Sequence, residues 1–334
     1  MKIIAFGVRD DERPFFQQWA QNHSSVSLKL VKERLTSGTV NQAAGYEGVV
    51  IVYQQSPFTK DLLQTLHDFD IHALSTRNAG VDDIDLAAVK EFNMQLTNVP
   101  AYSPSAIAEF SVTQALNLLR QTKAVRQKIQ HGNFNWAPTI GEELNTKTIG
   151  VIGTGRIGQA AIKIFQGFGA KVIAYDIYQN PTLANQGLYV KSLTDLYRQA
   201  DIISLHAPAT SDNYHLLNSK AFETMKNGVR IINAARGTLI DTQALLTAVD
   251  QGKVGGAALD VYEEEANIFN HDFGSYQAIP DQLVKKLMAH KNILLTPHIA
   301  FYTLTAVKNM VQIALDNNSQ LLTTGTADHL VTLP

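Results

Sequence analysis

The sequence contains no cysteine among its 334 residues. Without thiols the chain can form no disulfide framework, no cysteine-ligated metal site and no thiolate nucleophile. It also shows no close His/Cys spacing of the kind that binds zinc. We therefore expect no metal site.

The sequence also lacks a strong charge of either sign and any long apolar run. Its formal net charge is −2, with no basic block, which argues against nucleic acid or an anionic membrane as a partner. No run approaches the roughly 18 apolar residues of a membrane span. The first residues, MKIIAFGV, predict a strand and lack a signal-peptide cleavage site. We expect a cytoplasmic protein with no membrane and no nucleic acid partner.

Strand and helix patterns alternate along most of the chain, which predicts wound parallel sheets. The length is sufficient for two α/β domains. Strands are predicted over 2–8, 26–31, 48–53, 72–75, 95–97, 149–152, 171–175, 201–206, 229–233, 257–261 and 292–296. Residues 262–292 look irregular, and a last helix is predicted over about 303–322.

The stretch from Lys147 to Asp176 carries the strongest motif. Gly153, Gly155 and Gly158 follow an apolar run with the spacing G-x-G-x-x-G. This spacing suits a tight turn, close approach to a pyrophosphate and packing of a helix on the strand. Asp176 ends the next strand, where a carboxylate accepts hydrogen bonds from ribose hydroxyls and repels a 2′-phosphate. The pattern predicts an NAD site; the alternative is a purely structural turn.

A long helical pattern follows Pro104 and extends to about His131. Its length is unusual for a surface helix. We interpret it as a bridge between domains and as a surface for a homodimer. The alternative is a long helix packed within one domain.

Three polar residues follow predicted strands of the second half: Arg236, Glu265 and His298. Because ligands of open α/β sheets bind beyond the carboxyl ends of strands, three loops can bring these side chains together. An imidazole can protonate a carbonyl that receives hydride, a carboxylate favours its charged form, and a guanidinium can hold a substrate carboxylate. Plainer alternatives are a surface charge for Arg236 and a loop contact for His298. Spacing alone does not choose among Glu263, Glu264 and Glu265.

At these residues the chain resembles the D-isomer-specific 2-hydroxyacid dehydrogenase family, and most closely its D-lactate dehydrogenases from lactic-acid bacteria. The likeness covers essentially the whole length. It rests on the stretches VVIVYQQ (49–55), STRNAGVDDID (75–85), NVPAYSPSAIAE (98–109), WAPTIG (136–141), GVIGTGRIGQ (150–159), NAARG (233–237), ALDVYEEE (258–265) and TPHIAFYT (296–303).

The resemblance implies an α/β fold of two Rossmann-like domains, each a doubly wound parallel sheet, with a cleft between them. It implies a substrate-binding domain over residues 1–101 and 299–334 and an NAD-binding domain over residues 102–298. It further implies NAD as cofactor and a 2-oxo or 2-hydroxy acid as substrate, with pyruvate and D-lactate as the first candidates.

The resemblance also assigns individual residues. Arg236, Glu265 and His298 match the family's catalytic residues. The implied substrate contacts are Tyr53, Ala79, Gly80, Tyr102, Phe301 and Tyr302. The implied cofactor contacts are Gly153, Gly155, Arg156, Ile157, Gly158, Asp176, His206, Ala207, Pro208, Asn213, Ala234, Ala235 and Asp260. Backbone N–H groups near Ala79 and Gly80 would bind the substrate carboxylate, and Asp260 would hold the nicotinamide amide.

Some positions depart from the pattern of lactate enzymes. Phe110 stands where many have His, and Ala79 stands where Val is commoner. The alternatives are a D-2-hydroxyisocaproate or phenyllactate dehydrogenase with broader 2-oxo acid specificity, and a non-enzymatic NAD-sensing corepressor. Glu265 argues against a formate dehydrogenase, which has Gln there.

Overall fold

A computed structural model describes residues 1–52 and 58–334. Tyr53, to which the resemblance assigned a substrate contact, lies outside the described residues. The chain divides into two compact units: unit 1 is Met1–Ser103 with Tyr302–Pro334, and unit 2 is Pro104–Phe301. The boundaries fall at 103/104 and 301/302, against the expected 101/102 and 298/299. The assignment of substrate binding to the first unit stays a prediction.

In the described part of unit 1, five parallel strands form a sheet in the order β2-β1-β3-β4-β5. The strands are β1 Lys2–Ala5, β2 Ser27–Leu30, β3 Gly48–Ile51, β4 Ala73–Thr76 and β5 Gln95–Thr97, and the helices are α1 Arg13–Asn22, α2 Lys60–Asp68, α3 Leu86–Glu91 and α12 Leu304–Thr324. Side chains alternate between the faces of a strand. Ile4 joins the core with α2 and α3, whereas Ile3 and Ala5 join the core with α1 and α12. Helices therefore cover both faces.

Unit 2, all of whose residues are described, contains six parallel strands in the order β11-β10-β9-β8-β6-β7. The strands are β6 Thr148–Ile152, β7 Lys171–Tyr175, β8 Ile202–Leu205, β9 Val229–Asn233, β10 Val254–Leu259 and β11 Ile293–Leu295. The helices are α4 Pro104–Leu119, α5 Thr122–Gln130, α6 Arg156–Gly167, α7 Pro181–Asn185, α8 Leu193–Gln199, α9 Ser219–Thr224, α10 Thr242–Asp250 and α11 Gln282–Ala289. One apolar core holds α4 and α6, and another holds α8 to α11. The predicted fold class, two α/β domains with parallel sheets, is confirmed.

The prediction of one long helix after Pro104 is wrong. The pattern forms two helices, α4 and α5, because Gln121 adopts a left-handed backbone conformation with φ of 50°. Lys123 fixes the start of α5, since its Nζ donates to three backbone carbonyl oxygens of segment 288–293 at 3.0, 2.9 and 2.8 Å. Helix α4 packs on α6, β9 and β10 of its own unit.

The expectation of an irregular stretch over 262–292 is wrong at its end, where α11 lies. The carboxylate of Asp281 caps this helix by accepting the N–H groups of Leu283 and Val284 at 2.7 and 3.1 Å. Val284 and Leu287 join the core. Among the described residues, no helix has the length and apolar character needed to cross a membrane.

Candidate active site

All strands of unit 2 run parallel, so their carboxyl ends meet at one edge of the sheet. The predicted site residues of this unit follow those ends. They are Gly153 after β6, Asp176 after β7, His206 after β8, Ala234–Arg236 after β9, Asp260 and Glu265 after β10, and His298 after β11. Because β6 lies between β7 and β8, the glycine motif stands at the switch point where α/β sheets bind ligands.

The three glycines of the motif differ in what an added Cβ would meet. Gly153 has φ of 93°, and a Cβ there would lie 2.6 Å from the backbone that follows β8. A Cβ on Gly158 would lie 2.0 Å from the carbonyl oxygen of Gly153, which requires glycine for the close approach of α6. A Cβ on Gly155 would meet nothing within 4 Å. The first turn of α6, with Arg156 and Ile157, therefore offers its free N–H groups to open space, as a phosphate site requires.

Asp176 has a fixed orientation at the end of β7. Its Oδ2 accepts the backbone N–H and the hydroxyl of Thr154 at 2.5 and 2.9 Å. Its Oδ1 accepts the N–H of Tyr178 at 2.9 Å. The carboxylate is half-buried. An oriented acceptor at this strand tip is what the ribose contact of an NAD site requires.

The loop after β8 carries four predicted cofactor residues: His206, Ala207, Pro208 and Asn213. Nε2 of His206 lies 2.9 Å from Oγ of Ser204, and its buried Nδ1 has no hydrogen-bond partner among the described residues. Burial lowers the pKa of His206 to about 4, so the ring is neutral near pH 7. The amide of Asn213 accepts the N–H of Thr210 and donates to the carbonyl oxygen of Pro208. Asn213 thus shapes its own loop, and its contact with the cofactor stays a prediction.

The loop after β9 holds Arg236 in an extended backbone conformation. Buried Asn233 fixes this loop, because its Oδ1 accepts the N–H of Ala235 at 3.0 Å and its Nδ2 donates to the carbonyl oxygen of Arg236 at 2.9 Å. A Cβ on Gly237 would lie 2.2 Å from the carbonyl carbon of Tyr262. Glycine at this position therefore brings the Arg236 loop against the segment with the three glutamates.

The structure distinguishes the three glutamates. Oε1 of Glu265 lies 2.7 Å from Nδ1 of His298. Glu263 instead forms a hydrogen bond with His215, and Glu264 is exposed. The third glutamate is therefore paired with the imidazole at the sheet edge, a choice that spacing left open.

The imidazole of His298 is 35% exposed. Since Nδ1 is engaged with Glu265, Nε2 is the nitrogen that can exchange a proton with a substrate. Burial lowers the pKa of His298, but the hydrogen bond and charge of Glu265 and the charge of Asp260 raise it, against a smaller opposing effect of Arg236. The net pKa lies above the ordinary histidine value. The ring of Phe301 stands edge-on to the imidazole, with 6.3 Å between centroids.

Asp260 fastens the loop that carries His298. Its Oδ1 accepts the hydroxyl of Thr296 at 2.6 Å and the N–H of Ile299 at 2.9 Å, and its Oδ2 accepts the N–H of Ala300 at 2.7 Å. Burial raises the pKa of this carboxyl, and the hydrogen bonds reduce that rise. Asp260 thus fixes the 296–300 loop. Its contact with the nicotinamide amide stays a prediction.

Unit 1 carries the remaining predicted substrate residues. Ala79 and Gly80 lie in the loop after β4, and Tyr102 packs half-buried on the core with α1 and α12. Tyr302 is 47% exposed, and the guanidinium of Arg9 lies 5.4 Å from the centroid of its ring. Their roles stay predictions.

Sequence reasoning overlooked several residues that shape the site. Thr154 occupies an unspecified position of the glycine motif, so only its contacts reveal its importance. Gly237 follows Arg236 directly, and a glycine just beyond a strand was an available signal for close backbone approach. The pairing of Glu263 with His215 joins distant stretches of sequence, and no local pattern indicates it.

The residues of unit 2 fit NAD. The space that a Cβ on Gly155 would occupy is open, and Asp176 is fixed at the tip of β7. The buried Nδ1 of His206 has no partner among the described residues. In the same described part of the chain, no three His, Asp or Glu side chains gather as metal ligands would.

Comparison with known proteins agrees with this geometry. Residues 112–300 match the family described as D-isomer specific 2-hydroxyacid dehydrogenase, NAD binding domain. The chain is 55% identical to a D-lactate/D-glycerate dehydrogenase of Pediococcus acidilactici, over 96% of each chain. It is 54% identical to a D-lactate dehydrogenase of Lactiplantibacillus plantarum, over 98% of each chain. The solved structure of a D-2-hydroxyisocaproate dehydrogenase is similar with a TM-score of 0.91 and 44% identity, over 99% of this chain and 100% of that chain. The family predicted from the sequence is confirmed: the chain belongs to the NAD-dependent D-isomer specific 2-hydroxyacid dehydrogenases.

Proposed function

We propose that this protein reduces pyruvate to D-lactate reversibly, with NADH as the reductant. The observation that carries the proposal is the His298–Glu265 pair at the same sheet edge as the glycine motif and Arg236. Pyruvate is favoured because two relatives with more than half of their residues identical are named as a D-lactate/D-glycerate dehydrogenase and a D-lactate dehydrogenase.

The residues at the sheet edge have complementary roles in this reaction. When bound, NADH supplies a hydride to carbon 2 of the 2-oxo acid. His298 donates the proton on Nε2 to the carbonyl oxygen, and Glu265 stabilises the imidazolium that makes this donation possible. Arg236 binds the substrate carboxylate with its planar guanidinium and polarises the carbonyl. In the reverse direction, neutral His298 accepts the hydroxyl proton of the 2-hydroxy acid.

We assign cofactor binding to residues 102–298 and substrate binding to residues 1–101 and 299–334. The backbone N–H groups near Ala79 and Gly80 bind the substrate carboxylate in this proposal, and Tyr53, Tyr102 and Phe301 or Tyr302 limit the space for the substrate side chain. The balanced charge and the use of NADH favour a cytoplasmic location.

A panel of 2-oxo acids tests the choice of substrate. We expect kcat/KM to be highest for pyruvate, with 2-oxobutyrate accepted, since one methylene in an apolar pocket changes binding by only about 1–3 kcal/mol. Two observations favour a larger substrate. Ala79 is smaller than the commoner Val, and one similar structure is a D-2-hydroxyisocaproate dehydrogenase. A preference for 2-oxoisocaproate of about tenfold, or 1.4 kcal/mol, would replace the lactate assignment. NADH binding without turnover of any acid would favour the corepressor.

We also propose that the protein is a homodimer. Five apolar side chains of α5 and the following loop are exposed: Val125, Ile129, Phe134, Trp136 and Ile140, at 36%, 46%, 78%, 89% and 84%. An exposed apolar patch of this kind marks an interface, and a second copy of the chain is the partner that we infer. Light scattering should give twice the monomer mass, and Trp136→Asp should shift it toward monomer. Leu304→Gln, which alters an exposed apolar residue of unit 1, is the control.

A further inference from the structure

A chain of hydrogen bonds connects Asp176 to a tyrosine outside the glycine motif. Oδ2 of Asp176 accepts the hydroxyl of Thr154 at 2.9 Å. Oγ1 of Thr154 lies 2.7 Å from the phenol oxygen of Tyr189. That phenol oxygen accepts the backbone N–H of Asn180 at 2.8 Å.

The direction of each hydrogen bond follows from the number of protons. A threonine hydroxyl has one proton, and Thr154 uses it toward the carboxylate of Asp176. The proton between Thr154 and Tyr189 must then come from the phenol. Tyr189 therefore donates to Thr154 while accepting from Asn180, and all donors point toward Asp176.

Backbone pairing and burial hold Tyr189 and Thr154, the two middle residues of this series of hydrogen bonds, in place. Tyr189 pairs with Ala174 of β7, since Ala174 N–H donates to the carbonyl oxygen of Leu188 at 2.8 Å and Val190 N–H donates to that of Ala174 at 3.0 Å. Thr154 is buried, with 3% exposure. Neither Thr154 nor Tyr189 can therefore leave this series of hydrogen bonds without disturbing its neighbours.

We propose that Tyr189 and Thr154 are positioning residues that orient Asp176 toward the ribose and so strengthen the preference for NADH over NADPH. The proposal rests on the role of Asp176 in cofactor binding. A carboxylate that cannot turn away keeps its acceptor toward the ribose hydroxyls and its charge toward a 2′-phosphate. A carboxylate that can turn would bind the ribose hydroxyls less well and would repel a 2′-phosphate less strongly.

The test measures the dissociation constants of NADH and NADPH by calorimetry, without substrate, in Thr154→Val and Tyr189→Phe. We expect NADH to bind about three- to tenfold more weakly, which corresponds to one net hydrogen bond. The dissociation constant of NADPH should stay the same or fall, so the NADPH/NADH ratio of dissociation constants decreases at least threefold. A purely structural role would weaken both cofactors by the same factor.

Two further variants provide matched controls. Thr154→Ser keeps the hydroxyl and should keep the wild-type ratio. Tyr197→Phe removes another tyrosine hydroxyl of unit 2, which donates only to a carbonyl oxygen at 3.4 Å, and should not change the ratio. If Thr154→Val fails to fold, Tyr189→Phe decides alone.

Asp176→Ala separates this proposal from its premise. If Asp176→Ala lowers the ratio but Thr154→Val and Tyr189→Phe keep it, or weaken both cofactors equally, the positioning role is wrong and the role of Asp176 stands. If Asp176→Ala leaves the ratio unchanged, the role of Asp176 is wrong and the positioning proposal fails with it.

Discussion

At the scale of single residues, the proposed chemistry depends on the pair formed by His298 and Glu265. We predict that His298→Gln lowers kcat for pyruvate reduction by about 10²–10⁴-fold, because the proton donor is lost. The dissociation constant of NADH should change little, since the proposed nucleotide contacts follow other strands. Steady-state kinetics and calorimetry together check this. Near-normal turnover in His298→Gln would exclude His298 as the acid.

We expect the effect of Glu265 to appear in the pH dependence of pyruvate reduction. The hydrogen bond and charge of Glu265 raise the pKa of His298 above the ordinary value, against the lowering effect of burial. The protonated donor therefore persists to higher pH, and reduction declines as the pH rises through that pKa. Glu265→Gln removes the charge and should shift the alkaline limit of kcat for pyruvate reduction to lower pH. An unchanged pH profile would contradict the pairing.

The role proposed for Arg236 is a planar, bidentate contact with the substrate carboxylate that a lysine does not reproduce. Arg236→Lys keeps the charge but loses the bidentate geometry. We predict a large fall in kcat/KM for pyruvate and little change in the dissociation constant of NADH. Normal pyruvate kinetics with weakened NADH binding would contradict this role and would assign Arg236 to cofactor binding instead.

At the scale of elements, two glycines of the turn between β6 and α6 should affect folding and cofactor binding separately. A Cβ on Gly158 meets the carbonyl oxygen of Gly153 at 2.0 Å, so Gly158→Ala should lower the free energy of unfolding by about 1–3 kcal/mol or more. A Cβ on Gly155 meets no protein atom within 4 Å. Gly155→Ala should keep the Tm and weaken NADH binding. Equal Tm values in both variants would contradict this account of the turn.

Regular elements were predictable because their patterns are local. Alternation of strands and helices and the glycine motif predicted the parallel sheets, and β7 was predicted with the bounds that it has. The break at Gln121 was not predictable, because neither Gly nor Pro marks it and the contacts of Lys123 come from segment 288–293. Helix α11 carried a recognisable signal, since Asp281 precedes an apolar helical spacing.

At the scale of the whole molecule, the strand and helix pattern predicted which loops of unit 2 carry the candidate site. The resemblance singled out Glu265 as the partner of His298, whereas spacing did not choose among the three glutamates. Parallel strands place the loops at one edge, which the alternation already indicated. The selection of Glu265 over Glu263 depends on where His215 and His298 lie, and both pairings span distant parts of the chain. The link from Asp176 through Thr154 to Tyr189 is non-local for the same reason.

The most direct test of the central claim is the stereochemistry of the product formed by the wild-type protein from pyruvate and NADH. The account predicts that NADH is consumed and that D-lactate accumulates in equal amount, as measured with stereospecific lactate assays. Accumulation of L-lactate, or binding of NADH with no lactate formed, would contradict it.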